Sequence, residues 1–531
     1  MTERKTGSRQ ARRWLAAIVL AFVSMVLPGT AAEARCTPEQ LQIEIAQGAW
    51  PASVAAFYDL LGGSCAWPED AAMTLHAVLA RADAHGLPPS LFDADEIGRN
   101  LQRPTAAAQR DLLLTSAALR YAEVMRRGRI DLAKLHGDVA IHRWNVDAAP
   151  ELAASLKGGH LAHWLDNLPP AAPEYLRLKQ ALAQYRDIEG RGGWPVLQLP
   201  PGKRSLKPDE TGAFVPQLGM RLRSTGDLEH VAAGDVYDAT MVEAVRRFQA
   251  RHGLAVDGVV GRDTLAALNV PVAQRIAQIA LNMERWRFMA HATPPTRIEV
   301  NVPAAEAVVM RDGEIVFRMR TIVGKKATPT PMLASAIHRI VVNPPWVVPF
   351  SIYRRDIAPA IARDPDYLQK HDMSWQGGQL VQKPGPKNAL GRIKFDLPSP
   401  FAVFLHDTNA PALFASDDRF RSNGCIRVEK PMELAVHLLA PSGWSRARIE
   451  DLIRAGATVA VRVDPPLPVV LAYWTAFVDA DGSVRFRDDI YGRDAAFSAA
   501  LDGIALPPLA QQAAQGCGAQ PAFSIITLEN Q

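Results

Sequence analysis

Apolar positions along this chain follow two different periods. In the first part they recur at helical spacing: Leu114, Ala117, Ala118, Tyr121, Ala122 and Met125 fall at i, i+3, i+4, i+7 and i+8, and Gly128 follows as a stop. Residues 35–205 are therefore expected to be mainly helical. Nothing in them has a chemical signature, so they read as a scaffold. Residues 190–212 are rich in Gly and Pro and read as a connector. A compact helical unit is expected over 214–271. In it Thr240 and Glu243 match a capping box, Met241, Ala244, Val245 and Phe248 form one stripe, Gly253 stops that helix, and Asp263 is placed to cap another that ends near Leu268. After a helical connector (272–295) the period changes to two. Ile298, Val300 and Val302 share a face, Asp312-Gly313 marks a hairpin, and Ile315, Phe317, Met319, Thr321 and Val323 alternate. Further strands are expected at Ile337–Val342, Phe401–Leu405 and Thr458–Val463. The pattern predicts a β-rich unit over 296–466, interrupted at about 353–387 by a polar, irregular insertion lying over the sheet. A last segment, 467–531, has a second hairpin signal at Asp481-Gly482. The fold class is multidomain α+β.

Composition sharpens this in three places. The 531 residues suit about three folding units at roughly 150 residues each. The net charge of +4 is mostly carried by the first 34 residues, which hold five basic and two acidic side chains; the remainder is close to neutral, which gives no electrostatic case for nucleic acid. Those 34 residues read as a secretory signal, with Arg12-Arg13, an apolar run from Trp14 to Leu27, and Ala32-Glu33-Ala34 as a cleavage site. The run is short for a membrane span, so an exported protein with no stable membrane insertion after cleavage is expected. Export permits disulfides. Cys36 and Cys65 are the nearest pair and Cys517 competes, which leaves the bridge open. No Cys/His cluster suggests a metal site.

Candidate chemistry concentrates between His406 and Val428. His406 ends an apolar strand, and Cys425 follows 19 residues later in Ser422-Asn423-Gly424-Cys425-Ile426-Arg427. An imidazole beside a thiol can take its proton or stabilise the thiolate, and can then protonate a leaving amine. By themselves the two residues also fit a buried structural cysteine beside an ordinary histidine, a partial metal site, or a disulfide.

His406-Asp407-Thr408 followed by Ser422-x-Gly424-Cys425-Ile426-Arg427 resembles the signature of the L,D-transpeptidase family with a YkuD-type catalytic domain. Asn343-Pro344-Pro345-Trp346, Val348-Pro349, the run Pro384 to Arg392 with Lys394-Phe395, Tyr473-Trp474-Thr475-Ala476 and Ile490-Tyr491-Gly492-Arg493-Asp494 resemble the large periplasmic subgroup. Residues 214–271 are similar to a small three-helix peptidoglycan-binding domain, on Ala244-Val245, Phe248-Gln249, Gly253-Leu254, Asp257-Gly258, Gly261 and Thr264 to Asn269. Asn423 stands where many members have His.

The resemblance implies a β-sandwich-like catalytic domain whose insertion acts as a lid. It implies Cys425 as nucleophile and His406 as proton donor and acceptor. The Gly424 and Cys425 N–H groups become candidate oxyanion donors, Asn423 an added donor there, and Ser422 a shaper of the loop. Arg427 either binds a stem carboxylate or sits in a structural salt bridge. The implied partner is peptidoglycan: a tetrapeptide donor stem and the diamino acid of an acceptor stem, joined in a 3→3 cross-link through a thioester, with no metal or organic cofactor. Carbapenems are expected to acylate Cys425. Three other readings use the same residues: an L,D-carboxypeptidase or endopeptidase with water as acceptor, transfer to a lipoprotein lysine, and a non-catalytic wall-binding scaffold.

Overall fold

The computed structural model describes residues 36–102, 107–230, 234–503 and the backbone strand 526–528. The secretory signal and Cys517 lie outside these. The chain is α+β, as the two periods predict.

The N-terminal helices enclose their own core, in which Leu112, Leu114, Ala117, Ala118, Tyr121 and Met125 of α1 (Ala107–Arg127) are buried. Gly128, at φ 71°, ends α1 as expected. Cys36 and Cys65 form a disulfide with Cα atoms 6.1 Å apart. Beside it the buried Asp111 of α1 accepts hydrogen bonds from Tyr58 Oη, Ala66 N and Trp67 N. Burial raises the Asp111 pKa while these bonds oppose it. The last scaffold helix, α2 (Pro173–Gly190), departs from the predicted division: Tyr175, Leu178, Leu182 and Tyr185 pack into the core of the β-rich unit.

The module that follows has three helices, Phe214–Ser224, α3 (Ala239–His252) and Arg262–Leu268. Its predicted caps are corrected. Asp238, in extended conformation, caps α3 by accepting from Met241 N, so Thr240 lies inside the first turn. Gly261 precedes the third helix and Asp263 lies one position inside it, where it meets the helix dipole rather than capping. Gly253, at φ 69°, ends α3 as predicted. The module is docked rather than tethered. Arg251 Nη1 donates to Val484 O at 3.1 Å, Arg487 Nη1 donates to Arg251 O at 2.9 Å, and His252 stacks on Phe486. The connector helix α4 (Val272–Met289) packs on α2 and buries Ile279, Met283, Trp286 and Phe288 in the β-unit core.

That unit contains β1 (Arg297–Asn301), β2 (Glu306–Arg311), β3 (Glu314–Gly324), β4 (Met332–Val342), β5 (Ile393–Asp396), β6 (Leu405–His406), β7 (Ile426–Val428) and β8 (Val459–Ala472). They pair in the order β4-β5-β6-β7-β3-β2-β1-β8, and β8 pairs back onto β4. The sheet of this β-sandwich-like domain closes into a ring of strands, which leaves these strands no free edges. The β2–β3 turn is the predicted hairpin, with Asp312 at φ 53° and Gly313 at φ 86°. The strand expected at Phe401–Leu405 is shorter, because Ala402 adopts φ 49° and cannot continue a ladder. Strand β8 runs on to Ala472, so the predicted boundary at 466 falls inside it. Asp481-Gly482 does join two paired strands, Ala476–Val478 and Val484–Phe486. The insertion starts earlier than expected and is regular. Trp346–Val347, Gln379–Gln382 and Met373–Gln376 form a small sheet, helical turns cover residues 350–363, and Val348, Ile352, Ile357 and Leu380 give it a core. Among the described residues no helix is long and apolar enough to cross a membrane.

Candidate active site

A crossover brings the candidate residues together. Residues 407–425 leave the end of β6 and return so that β7 runs parallel to it, with Leu405 opposite Ile426 and His406 opposite Arg427. On the other side His406 lies opposite Lys394 of β5. Alternation then sorts the side chains. Leu405, Ile426 and Phe395 are fully buried in the barrel core. His406, Lys394 and Arg427 share the other face, and Cys425 immediately precedes β7.

His406 is 5% exposed. Its Nδ1 donates to Asp407 O, which leaves Nε2 as the proton-accepting nitrogen. Asp407 is itself clamped: Oδ2 accepts from Arg392 N and Oδ1 from Thr408 N, both at 2.7 Å. A Cβ at Gly391 would lie 2.4 Å from Asp407 Cγ, so only glycine allows this approach. The imidazole pKa is lowered to about 3. Burial does most of this, the charges of Arg427 and Lys394 add to it, and the carbonyls of Asp407 and Leu390 oppose it. The ring is therefore neutral.

Cys425 is 2% exposed and is disulfide-bonded here, so its thiolate arises only on reduction. Cys36 and Cys65 are taken up by each other. Ser422 shapes the loop, donating from Oγ to Cys425 O at 2.6 Å and accepting from Gly424 N at 3.1 Å. That second bond turns the Gly424 N–H back into the loop and corrects its expected place as an oxyanion donor. Asn423 Oδ1 accepts from Arg355 Nη2 of the insertion at 2.7 Å, so this side chain ties the loop to the insertion instead of facing an oxyanion. Among the described residues Arg427 makes no salt bridge: its Nε is buried without a partner there, and burial lowers its pKa. Among the described residues no cluster of His, Cys, Asp and Glu could hold a metal ion.

Residues 295–461 match the YkuD family, the L,D-transpeptidase catalytic domain. The chain carries an L,D-transpeptidase catalytic domain. Upstream of the transpeptidase domain, residues 52–182 match the family described as "Scaffold domain" and residues 211–268 the one described as "Putative peptidoglycan binding domain". A Haemophilus influenzae protein named "Putative L,D-transpeptidase" is 32% identical over 237 residues, which cover 41% of this chain and 48% of that protein. The chain thus spans about half the length of the curated relative it matches. A crystal structure of the L,D-transpeptidase (residues 123–326) from Xylanimonas cellulosilytica aligns with 18% identity and a TM-score of 0.17, covering 52% of this chain and all of that one.

Two groups beside the candidate site had no role assigned from the sequence. Lys394 is buried, paired with Asp396 at 2.6 Å, and lies over the Phe404 ring. Its place in an alternating strand opposite His406 was the available signal. Thr330, in a connector between strands, gave none.

Proposed function

We propose that the protein is a periplasmic L,D-transpeptidase that forms 3→3 peptidoglycan cross-links through a thioester on Cys425. The observation that supports this reading is the parallel β6–β7 pairing, in which Cys425 immediately precedes β7 and His406 ends the neighbouring β6, within a stretch that matches the L,D-transpeptidase catalytic domain.

The reduced Cys425 thiol gives its proton to His406 Nε2. The thiolate attacks the carbonyl carbon between the third and fourth residues of a tetrapeptide stem. Negative charge collects on the carbonyl oxygen, and the Cys425 N–H is the loop donor aimed at it, the Gly424 N–H being bonded to Ser422. The intermediate collapses by breaking the C–N bond. The departing amine takes the proton from His406, which leaves a thioester. The side-chain amine of the diamino acid on a second stem then attacks, passes a proton to His406, and expels the sulfur, which recovers that proton. The fixed Nδ1–Asp407 bond keeps one nitrogen on this task throughout. Arg427, half-buried and with no carboxylate partner among the described residues, binds a stem carboxylate through its fork. The insertion closes over the donor and limits water, held to the loop by the Arg355–Asn423 bond. The three-helix module holds the enzyme on its polymer.

The test is incubation of the mildly reduced protein, from residue 35 onward, with disaccharide-tetrapeptide, products being read by chromatography and mass spectrometry. Cys425-dependent 3→3 dimers are expected, and none from Cys425→Ala. Tripeptide alone would assign hydrolysis to the site, and neither product would return the chain to a wall-binding scaffold.

A further inference from the structure

Thr330 is fully buried beside the nucleophile loop. Its Oγ1 donates to Gly424 O at 2.9 Å and accepts from Gly324 N at 2.9 Å. Gly424 O belongs to the peptide group that joins Gly424 to Cys425. That group is planar and trans, so its carbonyl and its N–H point in opposite directions. Fixing the Gly424 oxygen therefore fixes the direction of the Cys425 N–H. Gly424, at φ 109°, lies in a region where glycine rotates readily, so the Thr330 bond adds to the two Ser422 bonds that flank this peptide.

The connector that carries Thr330 is braced in turn. The Tyr491 hydroxyl donates to Gly324 O at 2.5 Å and accepts from Thr330 N at 3.2 Å. Arg493 Nη2 donates to Thr330 O at 3.2 Å and pairs with Asp138 of the scaffold. A Cβ on Gly324 would lie 2.2 Å from Thr328 O, so the connector is drawn tight against the end of β3.

We infer that Thr330 is a positioning residue for the transpeptidase reaction: it aims the Cys425 N–H at the oxyanion, and Tyr491 holds it in place. The bonds run head to tail, from Gly324 N–H to the Thr330 hydroxyl to the Gly424–Cys425 peptide, so each polarises the next and strengthens the final donor. This inference rests on Cys425 being the nucleophile. It gives the Tyr491-Gly492-Arg493 motif a task in the reaction.

The experiment compares wild type, Thr330→Val, Thr330→Ser and Tyr491→Phe as full chains after mild reduction. Intact mass follows acylation of Cys425 by disaccharide-tetrapeptide and, separately, by a carbapenem, whose lactam carbonyl also becomes an oxyanion. Alkylation by iodoacetamide, which needs the thiolate but no oxyanion donor, is the control. Thr330→Val is expected to slow both acylations about 10- to 100-fold in kcat, with KM and alkylation changed less than about twofold. Thr330→Ser restores the hydroxyl and is expected to recover most of the rate. Unchanged acylation by Thr330→Val, no rescue by Ser, or alkylation falling in step with acylation would overturn the inference. If Thr330→Val does not fold, Tyr491→Phe decides: an acylation loss of about 3- to 10-fold with normal alkylation supports it, and no loss overturns it. Wild type acylated by carbapenem but making no cross-links would sink the transpeptidase reading and leave this one standing. Wild type acylated by neither would sink both.

Discussion

Replacing Asp227 by Asn should release the three-helix module. The Asp227 oxygens accept from Arg251 Nε and Nη2, both at 2.5 Å, and the two side chains are 3% and 9% exposed. Asn keeps the volume and removes the charge, so a buried guanidinium is left without its counterion. Breaking a buried pair in this way costs about 3–5 kcal/mol. The module matched over residues 211–268 has a total stability of about 3–9 kcal/mol at typical per-residue values, so the loss is comparable with the whole. Arg251 also donates to Val484 O, so the same change loosens the docking. Scanning calorimetry of Asp227→Asn should show a new low-temperature transition, with the main transition retained. Protease should cut the connector at residues 193–212, and co-sedimentation with insoluble peptidoglycan should fall. Asp227→Leu with Arg251→Met removes both charges and should recover much of the loss. A single transition within about 2 °C of wild type in Asp227→Asn would refute the reasoning, because 3 kcal/mol in so small a unit moves a midpoint further than that.

Replacing both Cys36 and Cys65 by Ser opens a loop of 29 residues and should cost the scaffold about 3–4 kcal/mol, seen as a lower urea midpoint. Acid should destabilise the fold. His85, His136 and His406 are held neutral down to about 3, whereas unfolded histidines protonate near 6.5. The unfolded chain therefore binds more protons between those values, and stability drains away as pH falls through that window, by about 2 kcal/mol per histidine at pH 5. Denaturant titrations at pH 7 and pH 5 with equal midpoints would contradict this. Arg427→Lys should raise KM for the tetrapeptide about tenfold, since an ammonium cannot offer the fork, and a KM within twofold of wild type would remove Arg427 from substrate binding.

Local chemistry was legible wherever a short stretch decides the outcome. Asp312-Gly313 gave its hairpin because both positions need positive φ, and Gly253 and Gly128 stopped their helices for the same reason. Thr240 misled because a capping box is a pattern of residue types. Asp238, two positions earlier, offers the stronger acceptor and takes the cap. Long-range closure was not legible. Nothing in Val459–Ala472 says that one strand pairs with β1 on one side and β4 on the other. Of the site, His406 and Cys425 stood out through their motif, but their juxtaposition depends on a crossover whose direction spacing does not give. Thr330 was invisible because its partners are the backbone of Gly324, that of Gly424, 94 residues away, and a tyrosine from a third region.

That third region bears on how such a protein can be rebuilt. Tyr491 and Arg493 lie beyond the matched catalytic stretch, and Asp138 and the strand Val139–Ala140, which pairs with β4, lie well before it. The segment 295–461 is a unit of homology without being a portable part. Grafted alone onto another binding module, it would bring its thiol and imidazole but leave behind the groups that stitch the Thr330 connector. Exchange between relatives should therefore succeed only when the pieces on both flanks travel together.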